Sequence, residues 1–242
     1  MRTLEGISVI VPVHNGAKHL EGCVEKIIRS LRKGGVRDYQ IIIAEDGSSD
    51  GSGRIAERIA ARTWGVEALA GGPRLGKGKA IACSVRRCRH ERIVFLDVDA
   101  HLVAERIVPA ARLLADADLA IGTRYAKSSR HSRPLYRDVL SRGYHALVEL
   151  AFGGSFSDYQ CGFKSFRKST AGPICRSVES RGWFWDTEFL LKARKAGLTV
   201  REIPVDWREK ESSLSGAAQQ AAELFIELVK YSAWQLSRGQ GK

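Results

Sequence analysis

The sequence predicts an α/β protein built on one mostly parallel sheet flanked by helices, and three observations predict it. Short continuous apolar runs, ISVIVPV (7–13), YQIIIAE (39–45) and RIVFL (92–96), read as strands buried on both faces. Between them, apolar residues recur at helical spacing, so strand and helix alternate through about residue 122, the pattern of right-handed crossovers in an open sheet. The polar motifs also fall just after strands: Pro12 to Gly16, Glu45 to Gly51, Arg74 to Lys79 and Asp97 to His101. Ligands of open α/β sheets bind outside the carboxyl ends of the strands, so these four loops are expected to converge on one crevice.

Taken in order, the first strand ends at Pro12 and Val13, and Leu20, Val24, Ile27, Ile28 and Leu31 then mark a helix stopped by Gly34 and Gly35. The second strand runs into GSSDGS, where Asp50 suits an N-cap turn for the helix around Ile55 and Ile59. A third strand near VEALA leads into GGPRLGKGKA and a helix through Ile81 and Val85. Glycine lets backbone N–H groups approach a phosphate and lysine adds point charge, so Arg74, Lys77 and Lys79 suit a diphosphate. The glycine spacing is not that of a Walker loop. RIVFL is the fourth strand and DLAIG (118–122) the fifth. Beyond it, Arg124, Lys127, Arg130, Arg133, Arg137 and Arg142 face a single acid, Asp138. Then come a helix near Leu135 to Phe152 with one apolar side, the polar stretch SDYQCGFKSFRK, the aromatic cluster GWFWDTEF and a strand in TVREIPVDW. A closing helix from about 217 to 236 follows, its apolar stripe packed on the domain. The expectation is one catalytic domain over 1–242, with halves at about 1–122 and 123–215 and a closing helix at about 216–242.

Composition narrows the partners. Lys and Arg number 39 against 27 Asp and Glu, a formal +12, which calls for an anionic partner: nucleic acid, a phosphate-bearing substrate or an acidic membrane surface. The five cysteines lack any paired C-x-x-C spacing, so neither a disulfide framework nor a zinc knuckle is indicated. The opening residues do not read as a signal peptide. No apolar stretch approaches the roughly 20 residues that span a bilayer.

RIVFLDVDAHL carries the sharpest chemistry. In an extended strand Asp97, Asp99 and His101 share one face. Two carboxylates that close resist ionising together, so a cation is needed to hold them, and Mg2+ or Mn2+ fits oxygen ligands with one imidazole. The competing reading makes Asp99 the N-cap of the next helix and His101 a surface histidine.

In this order, VPVHN, EDGSSDGS, GKGKA, D-x-D and GTR resemble the inverting family 2 glycosyltransferases, which have a GT-A (nucleotide-diphospho-sugar transferase) fold. DYQCGFKSF, FWDTEF and the IPVDW run are similar to the branch that glycosylates lipid-linked monophosphates, the dolichyl-phosphate glucosyl- and mannosyltransferases. The resemblance covers roughly residues 6 to 215 and implies transfer of one hexose from UDP-glucose or GDP-mannose to a polyprenyl or dolichyl monophosphate, with inversion. It makes 1–122 the nucleotide-sugar half and 123–215 the acceptor lobe. It puts Pro12, His14 and Asn15 at the base and ribose, Asp46 at the base edge, Arg74, Lys77 and Lys79 at the diphosphate, and Asp97, Asp99 and His101 at the metal. Arg124, Arg137 and Ser141 would clasp the acceptor phosphate. Gln160, Lys164, Asp186 and Glu188 belong to the acceptor lobe, with Asp186 binding sugar hydroxyls or acting as a base if the acceptor were a hydroxyl.

The loop REKESSLS departs from the family pattern at a lysine, leaving Arg208 or Lys210 to replace its charge. Arg130 and Arg133 either contribute to the phosphate site or face anionic lipid head groups. The implied location is cytoplasmic and peripheral, on the cytoplasmic face of a membrane. Two other functions remain in view. One is a family 2 enzyme with a carbohydrate or other hydroxyl acceptor. The other is a non-catalytic basic module for nucleic acid or membranes, against which the basic residues cluster beside the presumed active site; no nucleic-acid partner is expected.

Overall fold

The computed structural model describes residues 4–132, 134–154, 156–208 and 214–239. In chain order its elements are β1 (Ile7–Val13), α1 (Ala17–Lys33), β2 (Tyr39–Glu45), α2 (Ser52–Arg62), β3 (Val66–Leu69), α3 (Lys77–Arg87), β4 (Arg92–Leu96), α4 (Ile107–Leu113) and β5 (Leu119–Thr123). The second half continues with β6 (His131–Ser132), α5 (Leu135–Phe152), β7 (Phe163–Arg167), α6 (Ala171–Ser177), α7 (Trp185–Lys195), β8 (Val200–Pro204), β9 (Trp207–Arg208) and α8 (Leu214–Gly239). Seven strands form one sheet in the order β3-β2-β1-β4-β7-β5-β8, and β6 and β9 make a separate two-residue ladder.

Both faces of the sheet are covered, which is why its strands are apolar without alternation. On one face Val9, Val11, Ile41 and Val94 pack with Leu20, Val24, Ile27 and Leu31 of α1 and with Ile107 and Ala111 of α4. On the other, Ile10, Ile42 and Phe95 meet Ile81 and Val85 of α3 and Trp185 and Phe189 of α7. β1 pairs in parallel with β2 and with β4, so the carboxyl ends of the three strands open on one edge.

The second half departs from expectation at β7, in SDYQCGFKSFRK. It runs antiparallel between β4 and β5, with Lys164 opposite both Phe95 and Ile121. Two polar residues, Lys164 and Ser165, interrupt the apolar signal although both are fully buried. Smaller shifts also appear. DLAIG begins one residue later as β5, the strand in TVREIPVDW divides into β8 and β9, and the closing helix is longer, Leu214–Gly239. Asp99 does not cap a helix: Ala100 holds the cap position of the 3-10 turn His101–Arg106, with no side-chain cap bond.

The closing helix buries Ala217, Leu224 and Leu228, but its packing is one-sided. Phe225, Ile226, Val229 and Leu236 remain exposed, as do Leu135, Val139 and Leu150 on the neighbouring α5. No helix among the described residues is long and apolar enough to cross a membrane.

Candidate active site

A cleft of about 920 Å³ lies across the carboxyl ends of β1, β2 and β4. Pro12, His14, Asn15, Asp46, Arg74, Lys77, Asp97 and Asp99 line one wall, and Arg124, Arg137, Ser141 and Gln160 the other.

The first wall is stitched together by side chains reaching between loops. Asn15, at φ 52°, accepts from the Ser49 N–H at 2.9 Å, and its own N–H donates to Ser48 Oγ at 3.0 Å. Asp50 accepts from the Ala17 N–H and from Ser52, so it secures the starts of both α1 and α2, and these bonds hold its carboxyl below the usual range. Asp46 is buried; its carboxylate accepts the Leu75 N–H at 2.5 Å and the Gly76 N–H at 2.9 Å, anchoring the glycine-rich loop. Both of its carboxylate oxygens are thus engaged by this loop, while the residue itself still lines the cleft where the sequence expects a base-edge reader. His14 Nδ1 lies 2.9 Å from the Asp46 carbonyl oxygen.

Lys77 is the first residue of α3. Its ammonium lies 3.0 Å from Asp97 and 2.8 Å from Asp186, with the rings of Phe95 and Trp183 each 5.6 Å away. Burial opposes its charge, but the two carboxylates outweigh that and raise its pKa. Asp97 is pushed up to about 6 by burial, Lys77 working against the shift and Asp186 and Asp99 adding to it. Its carboxylate lies directly over Gly162, where an added Cβ would collide with Oδ2. A side chain there would have to displace the carboxylate from Lys77. Asp99 is exposed and forms no hydrogen bond or ion pair among the described residues.

Several expected site residues do other work. Lys79 lies off the cleft because α3 begins at Lys77, and two residues along a helix turn a side chain by about 200°. Asp186 is 1% exposed and clamped between Lys77 and Lys164, which depress its pKa against the effect of burial. A carboxylate so held is a poor proton acceptor. Lys164 is fully buried, donating to Asp186 at 2.6 Å and to the Cys161 carbonyl at 2.7 Å, so it cannot reach an acceptor. Glu188 is buried too, accepting from the Glu179 and Ser180 N–H groups and pairing with Lys192 one turn on; it braces a loop. Arg208 is exposed in the β6–β9 ladder and is not among the described residues of the cleft wall. The His101 side chain, Arg133 and Lys210 lie outside the described residues.

On the second wall Arg124 donates Nε and Nη2 to Asp158 at 2.7 and 2.8 Å; burial opposes both charges, yet the pairing raises the arginine and lowers the acid. Arg137 donates to Gln220 of α8 at 2.7 Å, and Gln160 donates to Thr187 Oγ1, which also meets the Tyr144 hydroxyl. Asp158, Gln220 and Gly162 were not singled out from the sequence, and Trp183 was read only as part of an aromatic cluster. Asp158 and Gly162 sit in DYQCGF beside residues that were, and Gln220 sits on a helix read as mere packing.

Asp97 and Asp99 bring two hard oxygen donors to the cleft, one partly engaged by Lys77. No group of three His, Cys, Asp or Glu gathers among the described residues. An open pair of this kind suits a hard divalent ion that takes its remaining ligands from water and phosphate oxygens.

A model described as "Glycosyl transferase family 2" matches residues 8–172. The chain is 32% identical over 237 residues to the glycosyltransferase AglD of Haloferax volcanii, covering 96% of itself but only 37% of that protein. It is 28% identical to the dolichyl-phosphate beta-glucosyltransferase of Homo sapiens, covering 96% of itself and 78% of the relative. Among solved structures, glucosyl-3-phosphoglycerate synthase from Mycobacterium tuberculosis, in complex with Mn2+, UDP and glucosyl-3-phosphoglycerate, aligns with a TM-score of 0.69 at 19% identity, over 93% of this chain and 79% of that one. It has the same GT-A architecture.

Proposed function

Because the chain belongs to glycosyl transferase family 2 and is a glycosyltransferase, we propose that it transfers one hexose from a nucleotide-sugar, UDP-glucose or GDP-mannose, to a polyprenyl or dolichyl monophosphate with inversion. The observation that carries the reading is the two-sided cleft, with carboxylates and Lys77 at the strand ends on one wall and Arg137 and Ser141 of α5 on the other. The relatives named dolichyl-phosphate beta-glucosyltransferases support this acceptor and favour glucose.

The donor lies along the first wall, its nucleoside against Pro12, His14 and Asn15 and its diphosphate near Arg74 and Lys77. Asp97 and Asp99 would hold a divalent ion, Mg2+ or Mn2+, which would supply charge stabilisation for the departing diphosphate; the Mn2+ in the glucosyl-3-phosphoglycerate synthase complex supports it. Lys77 adds a fixed positive charge where negative charge develops, which in a site shielded from water is worth several kcal/mol. The acceptor phosphate is anionic near neutral pH, so it needs orientation and no general base. Arg137 provides bidentate geometry for it and Ser141 a hydroxyl. Attack from the second wall onto a sugar held at the first inverts the anomeric centre.

A lipid acceptor implies a membrane, and the exposed apolar residues of α5 and α8 support peripheral attachment, since the inner sides of the same helices line the cleft; the cytoplasmic face is part of the proposal. Radiolabel transfer from UDP-glucose and from GDP-mannose to polyprenyl phosphate, with and without Mn2+, tests the proposal. A metal-dependent lipid product from one donor is expected; no lipid product from either would overturn it.

A further inference from the structure

Beneath the cleft lies a charge that no ligand can touch. Lys164 is fully exposed to the core and not at all to solvent, with its ammonium 5.5 Å from the centre of the Phe95 ring. An ammonium out of water is costly unless it is paired, and a leucine or methionine would fill the same space without that cost. Its position therefore asks for an electrostatic reason.

The reason is the arrangement above it. Asp97, Lys77, Asp186 and Lys164 form a line of alternating charges joined at 3.0, 2.8 and 2.6 Å. The two Asp186 oxygens are divided, Oδ1 to Lys164 and Oδ2 to Lys77. Lys164 thereby prevents the carboxylate from turning, and the carboxylate holds the Lys77 ammonium from below. Of the three N–H bonds of that ammonium, Asp186 and Asp97 account for two, which leaves one for the cleft. The line sums to zero charge. Without Lys164 it would sum to −1, directly under the place where a diphosphate is to bind.

We propose that Asp186, braced by Lys164, positions Lys77 by restraining its ammonium, and that the strength of anion binding is set by the net charge of the line, which the hidden Lys164 brings to zero so that the cleft accepts a nucleoside diphosphate. The inference rests on the reading of the cleft as a donor site. It separates two roles that a purely structural ion pair would share: losing the hidden cation must hurt anion binding, and losing its carboxylate partner must not.

Titration calorimetry with UDP, with and without Mn2+, on Lys164→Met, Asp186→Asn and the double variant tests this, with thermal melts to establish folding. Lys164→Met should weaken UDP about ten-fold, the scale of one unpaired charge several ångströms away. Asp186→Asn should bind UDP no more weakly than the parent, and the double variant should recover most of the loss. Unchanged affinity in folded Lys164→Met, or weaker binding in both single variants, overturns the proposal. If Lys164→Met does not fold, Asp186→Asn decides, since weaker UDP binding there contradicts the charge balance. A ligand-free readout stands beside these. Acylation of the Lys77 amine by an N-hydroxysuccinimide ester, followed by mass spectrometry, should quicken several-fold in Asp186→Asn, and an unchanged rate overturns the positioning role. Should the parent bind neither UDP nor GDP, the donor reading fails while the labelling still reports on Lys77.

Discussion

The two walls of the cleft are built in different ways. On the strand-end wall, loops hold one another through polar bonds, half-buried from Asp46 to Leu75 and Gly76 and from Lys77 to Asp97 and Asp186, exposed from Asn15 to Ser48 and Ser49. The opposite wall is two helices, α5 and α8, bridged by Arg137 and Gln220, with apolar side chains facing outward. A wall locked by backbone hydrogen bonds suits a rigid polar ligand whose geometry never varies. A pair of amphipathic helices suits a ligand with a charged head and an apolar tail. On the proposed function, donor and acceptor chemistry divide between a wall of bonded loops and a helical surface.

Substitutions on each wall should keep to that division. The largest effect is expected at Asp99→Ala, which should abolish the Mn2+-dependent part of UDP affinity and lower kcat about a thousand-fold; calorimetry that finds the metal increment intact would remove Asp99 from the metal site. Gly162→Ala comes next. Its methyl group collides with the Asp97 carboxylate, so activity should fall about a hundred-fold and stability by about 1–3 kcal/mol, read from kinetics and urea unfolding. On the helical wall Arg137→Ala should raise KM for polyprenyl phosphate about ten-fold while leaving the UDP dissociation constant alone; parallel losses in both would blur the two walls into one. The smallest change is expected from Leu150→Glu with Val229→Glu. Sedimentation with phosphatidylglycerol vesicles should show weaker binding, while surface substitutions of this kind shift stability by only about 0.5 kcal/mol.

The strand-end wall was also the more legible in the sequence. Its strands are continuous apolar runs because both faces are covered, and its polar loops follow them at once, so Asp97, Asp99 and Lys77 could be placed on one edge without coordinates. Partner choice was not legible. Asp46, Lys164, Asp186 and Glu188 look like ligand-binding residues by type, yet all four are satisfied by backbone N–H groups or by each other, across separations such as 22 residues for Lys164 and Asp186. β7 was hidden for the same reason: a lysine reads as solvent-facing until the aspartate that neutralises it is brought against it from a distant helix.

The placement of β7 also constrains how the chain is made. β4 and β5 are not hydrogen-bonded to each other; β7 lies between them, and the other neighbour of β5 is β8. A nascent chain that has emerged only as far as residue 123 therefore owns a strand with nowhere to pair. β1, β2, β3 and β4 can assemble during synthesis, but β5 must wait for some forty further residues, and closure of the sheet is a late, long-range event of the kind that slows folding. A translational pause after Arg167 would let that closure finish, whereas one after Thr123 would hold an apolar strand open to aggregation.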